Sequence, residues 1–190
     1  MLQPLVAKRI RVVGLDVDGV MTDAGVYVGH GADGPVEFKR FNVQDSIGIK
    51  LLMACGLKVV IVSGRFSRAT DLRAEELGIE EVVQDPSAVK LPAFQEMLDR
   101  AGVRLEDSAF MGDDLPDLPV LRRVGVAAAP QNAVPEVREV VDLVTQAAGG
   151  HGAVREFAEA LLHARGQWEA AVRQYLGERG ETSARIRNAY

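Results

Sequence analysis

The sequence predicts an α/β fold, a parallel sheet with helices on both faces, and three observations carry that prediction. Short apolar runs recur along the chain, amphipathic segments with helix start and stop signals lie between them, and acidic residues stand directly behind two of the runs. Strand–helix–strand alternation of this kind closes into a Rossmann-like sheet through right-handed crossovers, with ligands collecting at the carboxyl ends of the strands. With 190 residues and 47% apolar content, the chain supplies one well-buried core. It reads as one domain over 1–165 and a helical or flexible tail over 166–190.

The first run, IRVVGLDV (10–17), is a buried strand. Residues 25–41, GVYVGHGADGPVEFKRF, have strand-like ends around a Gly/Asp/Pro-rich centre and predict a projecting β-hairpin. The same stretch holds Gly29-x-Gly31-x-x-Gly34, the spacing of a dinucleotide fingerprint. That motif must open a helix, whereas Pro35, Val36 and Phe38 continue as strand, so nucleotide binding is rejected. Asp45 then begins a helix with Ile47, Leu51 and Cys55 on one face, and Gly56 ends it.

Four more strands follow: LKVVIVSG (57–64), EEVVQD (80–85), SAFMGDD (108–114) and VGVAAAP (124–130). Helices are expected from Ser67 to Gly78 and from Ser87 to Gly102. From His151 to about Gly177 the pattern is helical again, with Val154, Phe157, Ala158, Leu161 and Leu162 on one face, and the final GERGETSARIRNAY is polar with little to bury.

Charge and cysteine usage narrow the partners. The formal charge is −5, from 22 basic and 27 acidic residues interspersed along the chain, which argues against nucleic acid or an anionic membrane. Cys55 is the lone cysteine, so no intrachain disulfide forms. The start lacks the pattern of a secretory signal, and the apolar runs fall far short of the ~20 residues needed to span a bilayer, so a cytoplasmic protein is expected.

The chemistry concentrates at strand ends. Asp16 and Asp18, two positions apart, raise each other's proton affinity unless a cation or a shared proton intervenes. A plain turn is the competing reading, since Asp and Gly favour turns. A calcium loop is excluded, because its sixth and twelfth positions would be Met21 and Tyr27 in place of Gly and Glu. A second cluster, Gly112-Asp113-Asp114-x-x-Asp117, lies behind SAFM and therefore at the same sheet edge. Capping accounts for Asp114 at the N-cap and Asp117 as third residue of the next helix, with Pro116 in its first turn. Asp113 is left over, and Asp16, Asp113 and a backbone carbonyl form a hard oxygen set suited to Mg²⁺.

Two features suit an anion. Ser63-Gly64-Arg65 offers a hydroxyl, backbone N–H groups and a helix N-terminus, although Ser and Gly also simply terminate strands. Lys90 falls at the start of a helix, where the dipole disfavours a cation, and this implies an anion beside it; a tolerated surface lysine is the bland alternative. Two acid clusters, a hydroxyl with amides and a lysine, each at a strand end, describe a site for phosphoryl transfer.

These residues resemble the haloacid dehalogenase superfamily, whose four motifs match Asp16-Val-Asp18-Gly-Val, Ser63-Gly64, Lys90 and Gly112-Asp113-Asp114-x-x-Asp117 in order and approximate spacing. The resemblance implies Asp16 as nucleophile and Asp18 as general acid and base. It implies Ser63, Gly64 and Lys90 as phosphate-binding, and Mg²⁺ held by Asp16, Asp18 through its carbonyl, and Asp113, with Asp114 and Asp117 supporting. DVDGVMTD, FNVQDSIGIKLL, VSGR, LGIEEVVQ, FMGDDLPDLPVL and AGGHGAVRE are similar to the capless subgroup that includes the 3-deoxy-D-manno-octulosonate 8-phosphate phosphatases. That likeness implies no cap domain, an acidic sugar phosphate as substrate, a place in lipopolysaccharide biosynthesis, and a homotetramer. In such a tetramer the hairpin joins an intersubunit barrel and a neighbour's carboxyl-terminal segment helps close the site. Arg65, Asp45 and His151 are expected to meet the sugar. Where the family often has arginine, this chain has His151 and Gln44, which lowers the positive charge facing an acidic sugar; nine-carbon sugar-acid phosphates therefore stand as the alternative substrate class.

Other phosphatase chemistries lack their parts. Ile61 stands where a Cys-x₅-Arg loop from Cys55 needs arginine, no Arg-His-Gly setting exists, and three scattered histidines make no zinc cluster. A phospho-receiver module, which places similar residues at strand ends but lacks Asp-x-Asp on its first strand, and an inactive scaffold are the rivals of another class.

Overall fold

The computed structural model describes residues 2–181. Its first elements are a short helix α1 (Pro4–Ala7) and strand β1 (Val12–Leu15), followed by the hairpin strands β2 (Tyr27–Gly31) and β3 (Gly34–Phe38). Helix α2 (Val43–Ala54), strand β4 (Lys58–Ser63), helix α3 (Arg68–Leu77), strand β5 (Val82–Gln84) and helix α4 (Lys90–Ala101) complete the first half. Strand β6 (Ser108–Met111), helix α5 (Leu118–Leu121), strand β7 (Val126–Ala129), helix α6 (Pro135–Arg138), strand β8 (Leu143–Val144) and helices α7 (Ala153–Arg165) and α8 (Trp168–Gly177) come after it.

Six strands form one parallel sheet in the order β5-β4-β1-β6-β7-β8, and β2 and β3 pair separately as the projecting hairpin. The strands are apolar on both faces because both faces are covered. Val13 and Leu15 of β1, Val59 and Ile61 of β4 and Ala109 and Met111 of β6 pack with α2 and α7, in one core with Ile49, Leu52, Phe157 and Leu161. The alternate residues Val12, Val60, Val62 and Phe110 turn to the other face, against Phe94, Met97, Leu98 and Leu121 of α4 and α5. Gly14 lies beneath that second layer: a Cβ there would sit 2.5 Å from the Phe110 ring and 2.8 Å from Phe94. Its absence lets those rings pack edge-to-face with centroids 5.2 Å apart.

The register positions the chemistry. Leu15 of the central strand pairs with Ile61 on one side and Met111 on the other, so Asp16, Ser63 and Asp113 all emerge at one sheet edge. The chain crosses from β5 at one side of β1 to β6 at the other, and that reversal of direction opens a crevice at the carboxyl ends of the strands. Between β1 and β4 the chain carries a short helical turn over Val17–Met21, the hairpin and α2, and no cap domain is inserted there among the described residues.

The structure corrects several sequence-based boundaries. Asn42, not Asp45, begins α2: its side chain accepts a hydrogen bond from Gln44 N–H, so the helix starts at Val43. Helix α4 starts at Lys90, three residues after Ser87, because 86–89 form a turn with Ala88 at φ +56°. The expected single helix over 151–177 is two helices, broken where Gly166 adopts φ +70°. Helix α8 is also packed, with Ala171 buried and the Arg155 guanidinium 5.4 Å from the Trp168 ring centroid. The remaining tail residues, 182–190, lie outside the described residues. The sixth parallel strand, β8, has no counterpart among the sequence-based strands, because two edge residues are too short to show a pattern.

Candidate active site

Asp16 follows β1 in extended conformation, and residues 17–21 turn sharply behind it. Gly19 makes the turn possible at φ +88°, a left-handed value that costs a side-chain-bearing residue energy. A Cβ on Gly19 would also lie 1.9 Å from the Asp113 carboxylate. Thr22 fastens the turn: its buried hydroxyl donates to Val17 O at 3.2 Å and accepts from Gly19 N–H at 3.4 Å.

The two acid clusters meet. Asp16, Asp113 and Asp117 each place a carboxylate oxygen within 4.8 Å of the other two. Lys90 Nζ lies 2.7 Å from both Asp16 Oδ1 and Asp117 Oδ1 in a setting nearly closed to water. These carboxylates are the anions that a cation at a helix start implied. Asp117 is fully engaged, since its second oxygen accepts from the Asp113 and Asp114 N–H groups at 2.9 and 3.3 Å. Asp114 caps the next turn by accepting from Leu115 N–H at 2.7 Å. Asp113 Oδ1, by contrast, is buried without a hydrogen-bond partner.

Such crowding shifts proton affinities. Burial, then repulsion from Asp117, pushes Asp16 up to about 7 against the attraction of Lys90. Burial followed by repulsion from Asp16 and Asp117 pushes Asp113 up to about 8. Burial alone would lower Lys90, but the facing Asp16 and Asp117 carboxylates outweigh it and hold the ammonium above its ordinary value. An unpartnered buried oxygen, a cluster of three carboxylates and two proton affinities raised by burial and crowding together fit a divalent cation between Asp16 and Asp113. Asp117, spent on Lys90 and the loop amides, is left as a supporting residue.

Around this centre lies a hollow of about 250 Å³ lined by Asp16, Asp18, Ser63, Gly64, Lys90 and Asp113, with Ala24, Arg65 and Ala88 at its walls. Larger hollows of about 380 and 420 Å³ lie elsewhere on the surface, but neither collects buried carboxylates. Charge convergence, not size, marks the site. Ala24 and Ala88, at φ +61° and +56°, are the non-glycine residues with left-handed backbone among those described, and both line this hollow. Gly64 leaves room for Ala88: a Cβ there would meet the Ala88 side chain at 3.0 Å. Ser63 Oγ donates to Arg65 O at 3.0 Å and accepts from Arg65 N–H at 3.2 Å, so that amide is not the free donor the sequence suggested.

Asp18 faces two cations. Its carboxylate pairs with Lys39 and, at 3.5 Å, with Arg65, whose other nitrogen donates to Glu37 Oε1 at 2.9 Å. Lys39 and Glu37 come from the hairpin, and sequence reasoning misses them because nothing in their spacing ties them to Asp18.

Of the three residues expected to meet the sugar, the structure brings Arg65 to the pocket and leaves Asp45 and His151 off its lining. Asp45 is buried under α7, where Oδ1 accepts from Arg155 N–H at 2.8 Å, and burial pushes it up to about 6 despite those amide bonds. At the third position of α2 it faces the neighbouring helix rather than the sheet edge. His151 lies 3.0 Å from Arg40 through Nε2 and 2.9 Å from Gly149 O through Nδ1. A carbonyl only accepts and a guanidinium only donates, so these partners select the Nδ1–H tautomer.

Residues 82–157 match the family described as haloacid dehalogenase-like hydrolase. The chain is 39% identical over 170 residues to the 3-deoxy-D-manno-octulosonate 8-phosphate phosphatase of Escherichia coli K12, spanning 90% of this chain and 88% of that one. The crystal structure of the phosphatase of that name from Moraxella catarrhalis, in complex with magnesium, phosphate and the sugar KDO, superposes with a TM-score of 0.84 at 35% identity, covering 90% of this chain and 97% of that one. The cobalt-bound Haemophilus influenzae phosphatase superposes with a TM-score of 0.82 at 34% identity, covering 90% and 99%.

Proposed function

The chain belongs to the 3-deoxy-D-manno-octulosonate 8-phosphate phosphatases of the haloacid dehalogenase superfamily, and from that premise we propose that it hydrolyses 3-deoxy-D-manno-octulosonate 8-phosphate to the free sugar acid and phosphate. The observation that carries the reading is the meeting of Asp16, Asp113 and Lys90 at the carboxyl ends of β1 and β6. Asp16, Asp113 and the Asp18 carbonyl would hold Mg²⁺, which when bound would neutralise charge on the phosphate oxygens.

The chain's own groups perform the transfer. Lys90 aligns Asp16 through Oδ1 and, with Ser63 and Gly64, holds phosphate oxygens. Asp16 attacks phosphorus in line, the bond to the sugar oxygen breaks, and Asp18 gives that oxygen a proton. Asp18 then takes a proton from water as the water oxygen attacks the phosphoryl group, freeing phosphate and restoring Asp16. Arg65, anchored by Glu37 beside Asp18, supplies positive charge for the acidic sugar.

The reading extends to a cytoplasmic homotetramer. Tyr27, Val28, Val36 and Phe38 leave the hairpin with an exposed apolar surface, and its two strands pair with no other strand among the described residues. No helix among the described residues is long and apolar enough to cross a membrane.

Phosphate release from eight- and nine-carbon sugar-acid phosphates, with and without Mg²⁺, tests the substrate. The eight-carbon ester should give the highest kcat/KM, and a higher value for the nine-carbon ester would overturn that assignment. Trapping a labelled phosphoryl group on Asp16, lost in Asp16→Asn, tests the covalent step.

A further inference from the structure

The loop after β7 places one side chain between two loops of the site. Asn132 Nδ2 donates to Gly19 O at 3.0 Å, and its Oδ1 accepts from Gly149 N–H at 2.7 Å. Two residues later, Val134 N–H donates to Asp113 O at 3.0 Å. The 132–134 segment therefore grips the backbone on both sides of the proposed cation site: the turn behind Asp16 and the residue that carries the unpartnered Oδ1.

The contact is tight on the opposite side as well. Gly19 lies against the Asp113 carboxylate, where a Cβ would reach within 1.9 Å of Oδ2. Gly149 closes on the Gly19 carbonyl, with a Cβ position 1.9 Å from that oxygen, and Gly150 N–H donates to Val20 O at 3.2 Å. A shift of the Gly19 carbonyl moves one wall of the Asp113 carboxylate. Asn132 is the side chain that fixes this carbonyl and joins it to the 149–152 loop bearing His151.

We propose that Asn132 is a positioning residue that sets the Asp16 turn and the Asp113 carboxylate in mutual register for cation binding and phosphoryl transfer. It does not line the pocket. The assignment rests on the reading of that pocket as a Mg²⁺-dependent phosphatase site.

Asn132→Ala, which removes both arms, should weaken Mn²⁺ binding to the resting protein about tenfold by electron paramagnetic resonance and lower kcat by about tenfold. KM should change by less than about twofold, because the side chain lies off the substrate surface. Asn132→Asp keeps the acceptor for Gly149 N–H but sets an oxygen against the Gly19 carbonyl, so its kcat should fall to the alanine level. Should the alanine variant fail to fold, the near-isosteric aspartate variant decides. Unchanged kcat and Mn²⁺ affinity with only a lower Tm would overturn the assignment and leave Asn132 a purely structural link. A wild-type protein that neither binds Mn²⁺ nor releases phosphate would instead overturn the phosphatase reading itself.

Discussion

The Lys39 ammonium pairs with the Asp18 carboxylate across 21 residues of sequence, and the lysine side chain is 1% exposed. The foot of the hairpin thus delivers a buried cation to the group assigned proton transfer. Lys39→Met keeps the volume and removes the charge, leaving Asp18 only the Arg65 contact at 3.5 Å. Its kcat should fall at least roughly tenfold, and in a double-mutant cycle with Asp18→Asn the two losses should fall short of additive by about 1–3 kcal/mol. Full additivity would show that the pair is not coupled in catalysis.

Lys90 holds two buried carboxylates that have no other cation beside them among the charge pairs of the described residues. Lys90→Met leaves both uncompensated, and removal of one partner from such a cluster costs about 3–5 kcal/mol. Urea unfolding should show that loss, with phosphate release abolished. A stability within about 1 kcal/mol of wild type would contradict that cost.

Asp16 and Asp113, at about 7 and about 8 in the folded chain against 3.8 unfolded, bind protons more tightly when folded. For acids raised in this way, stability is fully present below the unfolded value and is lost as pH rises through the folded one. The Tm of the metal-free protein should therefore decline between about pH 4 and about pH 8. Mg²⁺ requires the ionised carboxylates, so the rise in Tm on adding Mg²⁺, and the fall on chelation, should be larger at pH 8 than at pH 6. Differential scanning calorimetry with and without chelator reads this directly, and an equal shift at both pH values would contradict it.

Asp45 provides a second pH signature away from the proposed cation site. Burial raises it to about 6 from 3.8, so its contribution to stability is lost as pH rises from about 4 to about 6. Asp45→Asn removes that titration and should flatten the Tm profile in this window by the equivalent of roughly 2 kcal/mol. Catalysis should be retained, because Asp45 faces α7; a raised KM with unchanged Tm behaviour would return it to the substrate surface.

Gly19→Ala combines a backbone penalty at φ +88° with a methyl group driven into the Asp113 carboxylate. The backbone part costs roughly 1–2 kcal/mol, and displacement of Asp113 should weaken Mg²⁺ activation by at least about tenfold. Titration of phosphate release against Mg²⁺ checks this, and an unchanged half-saturation point would show that Asp113 is free to move aside.

Much of the site was legible because apolar runs of period two announce strands, and the residues just past a strand's carboxyl end in a parallel sheet lie at a known edge. Asp16, Ser63 and Asp113 can be gathered on one surface from that rule alone, and Lys90 joins them through its unfavourable place at a helix start. Asp45 and His151 were harder to place, since a residue at a helix start or in a glycine loop carries no periodicity to fix its direction. Lys39 and Asn132 gave no local signal. Each acts through a partner distant in sequence, and single-chain patterns encode a residue's face on its own element rather than the neighbour that face meets. The start of α2 differs from the sequence expectation for a related reason: Asn and Asp cap helices alike, and the Asn42 bond to Gln44 N–H fixes the start ahead of Asp45.

Ala24 and Ala88 hold the walls of the pocket in a backbone shape that alanine resists. Anyone selecting this protein for heat tolerance should meet these two positions early. Glycine at either would relax the chain by up to about 1 kcal/mol, yet it would also loosen a wall of the proposed substrate pocket. Durability and turnover are therefore set against each other at the same two residues, and variants that gain one there should give up some of the other.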